Sequence, residues 1–176
     1  MLIGLSGAAG SGKNTVAELL GFRQTAFATP LYKMLAALTG LPVRDLQNRA
    51  TKETPIGWLG KSPRELLQTL GTEWGRNLVA EDVWVRATLQ EIAPWLAAGE
   101  RVAITDVRFD NEAAAVRTAG GRVVRVVRPS HGCLASDAAR HSSEAGISSH
   151  LIDAWIENTG SLDALKAAAE AVILRV

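Results

Sequence analysis

The sequence predicts an α/β fold, a parallel sheet flanked by helices, and two observations predict it. Short apolar, β-branched runs alternate along the chain with longer segments of helical spacing. The runs are also apolar throughout, as strands covered on both faces are, without the in–out alternation of a half-solvated sheet. With 176 residues, 47% of them hydrophobic, the chain has the length of one domain and can bury an ordinary core.

Taken in order, Leu2–Leu5 reads as the first strand and Lys13–Leu20 as the first helix. A fainter strand at Thr25–Ala28 precedes a helix at Leu31–Leu38. Gln47–Lys61 is polar, aperiodic and broken by Pro55 and Gly57. Helical spacing resumes over Pro63–Val79, where Ser62-Pro63-Arg64-Glu65 has the form of a capping box with proline at the first helical position, and continues over Asp82–Ala98. Strand Arg101–Thr105, helix Asn111–Ala119 and strand Arg122–Val127 follow. After the Ser-, Gly-, Ala- and His-rich stretch Pro129–Ser149 come a fainter strand, Leu151–Ile156, and a last helix, Ser161–Leu174, which Gly160-Ser161 can cap. The two aperiodic stretches have the length of lids or binding loops, with disorder as the plain alternative. The expectation is a single domain over residues 1–176, with a helical region at about 41–98 inserted on the sheet and a lid at about 129–149.

Charge and cysteine content exclude several function classes. The 19 basic and 18 acidic residues nearly cancel, so the chain lacks the global field that holds nucleic acid or an anionic membrane. Cys133 is the single cysteine, has no partner for a disulfide and lies in no zinc spacing. The first residues carry no basic leader, and no run approaches the roughly 20 apolar residues of a membrane span, so a cytoplasmic location is expected.

Between the first strand and the first helix lies Gly7-Ala8-Ala9-Gly10-Ser11-Gly12-Lys13-Asn14-Thr15. The bare GxxxxGK spacing arises by chance in roughly one chain of this length in twenty, so the flanking strand and helix carry the weight. Glycines there let consecutive backbone N–H groups turn inward around an anion, and the helix N-terminus adds its positive end. Lys13 can then reach the β- and γ-phosphates of a nucleotide. The alternative is a glycine-rich β–α turn. Asn14 stands where the common motif has a metal-binding hydroxyl, and Thr15 follows it, so Thr15 can hold phosphate while Mg²⁺ keeps more of its water.

A second cluster, Asp106-Val107-Arg108, falls at the carboxyl end of strand Arg101–Thr105, where ligands bind in open α/β sheets. Asp106 can organise hydrated Mg²⁺ or the acceptor oxygen, and Arg108 can grip phosphate with its planar fork. A structural ion pair with Asp110 as a cap is the other reading. Phosphoryl transfer asks chiefly for positioning and positive charge, so arginines should ring the site. Arg64, Arg76, Arg108, Arg125, Arg128 and Arg140 are the candidates, with Arg108 and Arg128 favoured by their places at strand ends.

Several blocks in joint order resemble the phage deoxynucleoside monophosphate kinases, a branch of the P-loop nucleotide kinases. They are residues Leu5–Thr15, Ala28–Lys33, Arg64–Thr72, Thr105–Glu112, Val126–Pro129, His141–Gly146 and Asn158–Leu162. The Gln-x-Leu-Gly-Thr and Asp-x-Arg-x-x-x-Glu blocks are the most telling. The resemblance implies a doubly wound five-stranded sheet with a mobile lid over ATP, and transfer of the γ-phosphate of ATP, with Mg²⁺, to a deoxynucleoside monophosphate. By position it places Gly10, Gly12, Lys13, Asn14 and Thr15 on the donor phosphates. Arg128 and Arg140 become lid-side arginines, and Asn158 to Ser161, including Gly160, the loop beside the adenine. Around the acceptor it places Leu31, Tyr32, Arg64, Gln68, Gly71, Thr72, Trp84, Asp106, Arg108 and Glu112. Lys13, Asp106, Arg108 and Arg128 would carry catalysis, with Thr15 and Asp106 near the metal, in part through water.

The residues themselves leave alternatives open. Trp84 can be a core aromatic as well as a base platform. Gln68 and Thr72, four apart, can read a base edge or merely solvate a helix face. His141 and Glu144 suit a hydrogen-bonded hinge better than a metal site, since His150 lies nearby but no second strong ligand is spaced for it. The other tryptophans read as packing. Another small-molecule kinase of the dephospho-coenzyme A kinase type, a nucleotide-dependent ATPase or switch, and a non-catalytic DNA-associated protein are the rival functions. The partners expected are small-molecule nucleotides, with neither nucleic acid nor membrane; the oligomeric state stays open, a homodimer included.

Overall fold

The computed structural model describes residues 1–129 and 147–173. Its contacts divide the chain into two compact units, one formed by Met1–Ala26 with Ile92–Val176 and the other by Phe27–Glu91.

The first unit holds the sheet. Strands β1 (Leu2–Ser6), β2 (Arg23–Thr25), β3 (Val102–Ile104), β4 (Arg122–Val127) and β5 (Ala154–Glu157) lie in the order β2-β3-β1-β4-β5. Every pairing is parallel, with β1 between β3 and β4. The sheet therefore grows outward from β1 in both directions, the doubly wound five-stranded arrangement. All five residues of β1 are buried, as a strand covered on both faces must be. On one face Ile3 and Leu5 join Val16 and Ala17 of α1 (Lys13–Leu19) and Leu165, Ala169 and Ile173 of the last helix, α8 (Leu162–Ile173), in one core. On the other face Gly4 lets α7 (Asp110–Thr118) approach: a Cβ there would stand 3.2 Å from Val116.

Two strands, β2 and β5, shift most from their expected places. The run at Thr25–Ala28 yields a strand only at Arg23–Thr25, because its partner β3 ends at Ile104, opposite Thr25. The last strand starts at Ala154, later than the expected Leu151, because Ser149–Leu151 coils into a 3₁₀ turn. Asp153 marks the new boundary: its carboxylate accepts the Val123 N–H at 2.8 Å while its own N–H reaches the Val123 carbonyl at 2.8 Å.

The second unit is helical. It contains α2 (Thr29–Thr39), α3 (Val43–Gln47), α4 (Arg49–Lys52) and α5 (Pro63–Gln68), a π-helix at Thr69–Val79, and the start of α6 (Val83–Ala97). Part of the stretch expected to lack structure is thus helical, with the Asn48 side chain accepting the Ala50 N–H at 2.9 Å to cap α4. The capping box opening α5 is present in full: Ser62 Oγ accepts from the Glu65 N–H, and Glu65 accepts from the Ser62 N–H. Among the described residues no helix is long and apolar enough to cross a membrane.

Candidate functional site

Parallel strands deliver their carboxyl ends to a common rim, and in the first unit that rim gathers four segments. Gly7 follows β1, Thr105-Asp106 follows β3, Arg128 follows β4 and Asn158 follows β5. Because β3 and β4 flank β1, the phosphate loop is bracketed by the Asp106 and Arg128 segments.

The loop's shape depends on glycine. Gly7 has φ 134°, and a Cβ on it would stand 2.2 Å from the Val126 carbonyl oxygen of the neighbouring strand. Gly12, which precedes α1, has φ 105°, and its Cβ would meet the Asn158 amide nitrogen at 2.7 Å. Neither position admits a side chain. The Lys13 ammonium folds over the loop and donates to the Gly7 and Ala8 carbonyls, both at 2.7 Å. Burial pushes its pKa below the usual lysine value; the Arg108 guanidinium pushes it the same way, and the Asp106 carboxylate opposes both. The parallel pairing of β3 with β1 puts the loop that carries Lys13 and the Asp106–Arg108 corner at neighbouring strand ends of the unit. Asn14 is exposed and Thr15 half-buried in the first turn of α1.

The corner itself is well anchored. The Val107 N–H reaches the Leu5 carbonyl at 3.2 Å, tying the segment after β3 to β1, and the Thr105 N–H reaches Thr25 at 2.9 Å. Glu112, which the resemblance puts at the acceptor, is 2% exposed. One of its carboxylate oxygens accepts the N–H groups of Arg108 at 2.7 Å and Phe109 at 3.2 Å. It thus shapes the turn that presents Arg108, whose side chain is exposed, as is that of Arg128. Asp110 accepts the N–H and the hydroxyl of Ser148, each at 2.6 Å. Arg125, one of the six candidate arginines, is buried, with its guanidinium 5.3 Å from the centre of the Trp155 ring and its Nε 3.4 Å from Ser6 Oγ.

In the second unit, Leu31 lies against Gly71, where a Cβ would stand 3.4 Å from its Cδ1. The Tyr32 hydroxyl accepts from Lys52 at 2.8 Å, and Arg64 on α5 is paired with Glu53 at 2.5 Å. Gln68 and Thr72 are exposed. Of the two roles open to Trp84, packing is the one its surroundings serve. The indole is 4% exposed, donates to the Gly71 carbonyl at 2.8 Å, and covers Gly75 so closely that a Cβ there would stand 2.3 Å from its ring.

Arg140, His141 and Glu144, with most of the expected lid, lie outside the described residues. Two features escaped the sequence reading. Ser11 Oγ is buried with no hydrogen-bond partner among the described residues. Asn158 donates from its side chain to the Ser11 carbonyl at 2.9 Å across 147 positions, a contact that no local spacing signals. The residues also suit the group expected beside the phosphates. Among the described residues no cluster of three or more His, Cys, Asp or Glu could cage a metal. A lone carboxylate, Asp106, and a hydroxyl, Thr15, instead match Mg²⁺, which takes one or two carboxylates and fills its remaining positions with phosphate and water.

Comparison with known proteins bears on the fold and the family. In fold, the chain is similar to the dephospho-CoA kinase of Campylobacter jejuni, with a TM-score of 0.52 at 16% identity, covering 99% of this chain and 96% of that one. In sequence, it is 34% identical to a protein of Acanthamoeba polyphaga mimivirus assigned as a deoxynucleotide monophosphate kinase, over 85% of this chain and 83% of the relative. It is also 28% identical to the deoxynucleoside-5'-monophosphate kinase of Escherichia phage T5, over 66% of this chain and 72% of the relative. Residues 43–169 match the family described as deoxynucleotide monophosphate kinase. With that match spanning most of its length, the chain belongs to the deoxynucleotide monophosphate kinase family.

Proposed function

We propose that this protein transfers the γ-phosphate of ATP to a deoxynucleoside 5'-monophosphate, giving the diphosphate and ADP. The observation that carries the proposal is the meeting, on one sheet rim, of a glycine-shaped loop, the Lys13 ammonium and the Asp106–Arg108 corner, close enough for both corner residues to act on the lysine's charge. Transfer of a phosphoryl group asks the protein for positioning and for charge compensation rather than covalent chemistry. The loop's N–H groups would hold the donor phosphates, Lys13 would offset charge on the transferred group, and Arg108 would grip the acceptor's phosphate. Asp106 and Thr15 would hold Mg²⁺, in part through water; bound there, the ion neutralises charge on the donor phosphates. Arg64 and Gln68 of the helical unit, with Leu31, Tyr32, Gly71 and Thr72, remain proposed acceptor residues, and Gly10, Gly12, Asn14, Asn158 and Gly160 proposed donor-side residues. The substrates are small nucleotides.

An ADP-release assay across ribo- and deoxyribonucleoside monophosphates, with dephospho-coenzyme A and an acceptor-free reaction as controls, tests the reading. Acceptor-dependent ADP release restricted to deoxynucleotides supports it; release without acceptor would point to an ATPase. Lys13→Ala should fold normally and lose about 10²–10³ in kcat, the scale of one preorganised charge-stabilising donor. Near-normal turnover would remove Lys13 from the mechanism.

A further inference from the structure

We infer that Asn158 is a positioning residue of the phosphate loop, its side-chain amide holding the Ser11 carbonyl outward and thereby aiming the Gly12 N–H into the anion cradle. The inference rests on reading that loop as the seat of ATP's phosphates.

Three contacts define the geometry. The Asn158 backbone N–H is fixed to the Val127 carbonyl at 2.7 Å, so the residue is seated on the end of β4. From there its side-chain nitrogen donates to the Ser11 carbonyl at 2.9 Å. That nitrogen also occupies the space beside Gly12, where a Cβ would stand 2.7 Å away. Chemistry fixes which amide atom faces the loop, because a carbonyl needs a donor and the amide oxygen would only repel it.

The consequence for the anion follows from peptide geometry. The chain has no cis peptide bond, so the Ser11–Gly12 unit is trans and its C=O and N–H point in opposite directions. Holding the carbonyl toward Asn158 turns the Gly12 N–H to the other side, away from Asn158, at the start of α1. Loop amides that are oriented before the anion arrives spare the cost of orienting them on binding. The Ser11 N–H is used within the loop, on the Ala8 carbonyl at 3.2 Å. The position after β5 also resembles an adenine-side loop, and a contact to the base would leave a different signature.

Binding of two partial ligands separates these roles. Inorganic tripolyphosphate carries the charge of ATP without the base, and adenosine carries the base without the charge. Asn158→Ala and Asn158→Leu should each weaken tripolyphosphate, and ATP in parallel, on the order of tenfold, while adenosine binding stays within about twofold. The leucine variant keeps the side-chain volume beside Gly12, so it reads the loss of the donor even if the alanine variant folds poorly. Loss of adenosine with tripolyphosphate retained would overturn the inference in favour of a base contact. Equal loss of both ligands would overturn it in favour of a general structural role, and unchanged binding of both would leave Asn158 idle. Failure of the unmodified protein to bind tripolyphosphate or ATP at all would instead remove the reading of the loop itself, and the inference with it.

Discussion

At the scale of single residues, Lys13 stands between two neighbours of opposite sign. Burial, and after it Arg108, disfavours its charge, and Asp106 restores part of it. The arrangement gives Arg108 a second use for its charge, since its guanidinium is exposed while its backbone is pinned by Glu112. Arg108→Ala should therefore raise KM for the acceptor monophosphate about tenfold or more, the scale of a lost charge-assisted contact, and change KM for ATP much less. Steady-state kinetics with each substrate varied in turn measures this, and an unchanged acceptor KM would contradict the role. The placement of Lys13, Asp106 and Arg108 on one rim was legible in the sequence because strand, loop and helix order alone puts them there. The burial of Trp84 against Gly75 was not, because helical periodicity gives the face of a residue but not what covers it.

At the scale of elements, the helix expected over Pro63–Val79 is present but widens to a π-helix at Thr69. Gly71 and Gly75 are its buried residues, and their missing side chains make room for Leu31 and for the Trp84 indole. Gly75→Ala should cost about 1–3 kcal/mol, the usual penalty for overpacking a tight site, because the new methyl group meets a ring fixed by its hydrogen bond to Gly71. Urea denaturation of the variant tests this, and a Gly75→Ala protein as stable as the parent would show that the indole can move aside. The capping box at Ser62 made the start of α5 readable, and Gly160-Ser161 that of α8. Strand ends were less readable, since β2 stops where its partner stops and β5 starts where Asp153 clamps Val123, both of which depend on residues far along the chain.

At the scale of the whole molecule, alternation of strand and helix foretold the parallel sheet. Periodicity alone could not supply the strand order, because it is set by crossovers; that expectation came from the resemblance to a known family. The contacts divide the described chain into a sheet unit and a helical unit, the latter running from Phe27 to Glu91 where the helical spacing suggests a region at about 41–98. Within the sheet unit, Asp110 ties the start of α7 to Ser148 and supplies a pH signature for overall stability. The Ser148 hydroxyl and N–H, with a smaller pull from His150, hold its carboxyl below the ordinary aspartate value. A carboxylate with a lower pKa folded than unfolded stabilises the fold above its unfolded value, and that contribution fades as pH falls through the folded one. Asp110→Ala should thus lower the urea midpoint at neutral pH, with the gap from the parent closing well below the ordinary carboxylate range. A gap that persisted there would assign the effect to packing.

The contact between Gly7 and the Val126 carbonyl also matters for any attempt to redesign this loop. A library that randomises it can vary Gly10, where a Cβ would meet no atom of the described residues beyond its chain neighbours within 4 Å, as far as space is concerned, though its φ of 77° still favours glycine. At Gly7 no such latitude exists, because the obstacle is main chain from an interior strand and cannot swing aside. The glycine turn and the sheet beneath it are therefore one mechanical part, and changes meant to soften β4 would be felt in the loop before α1.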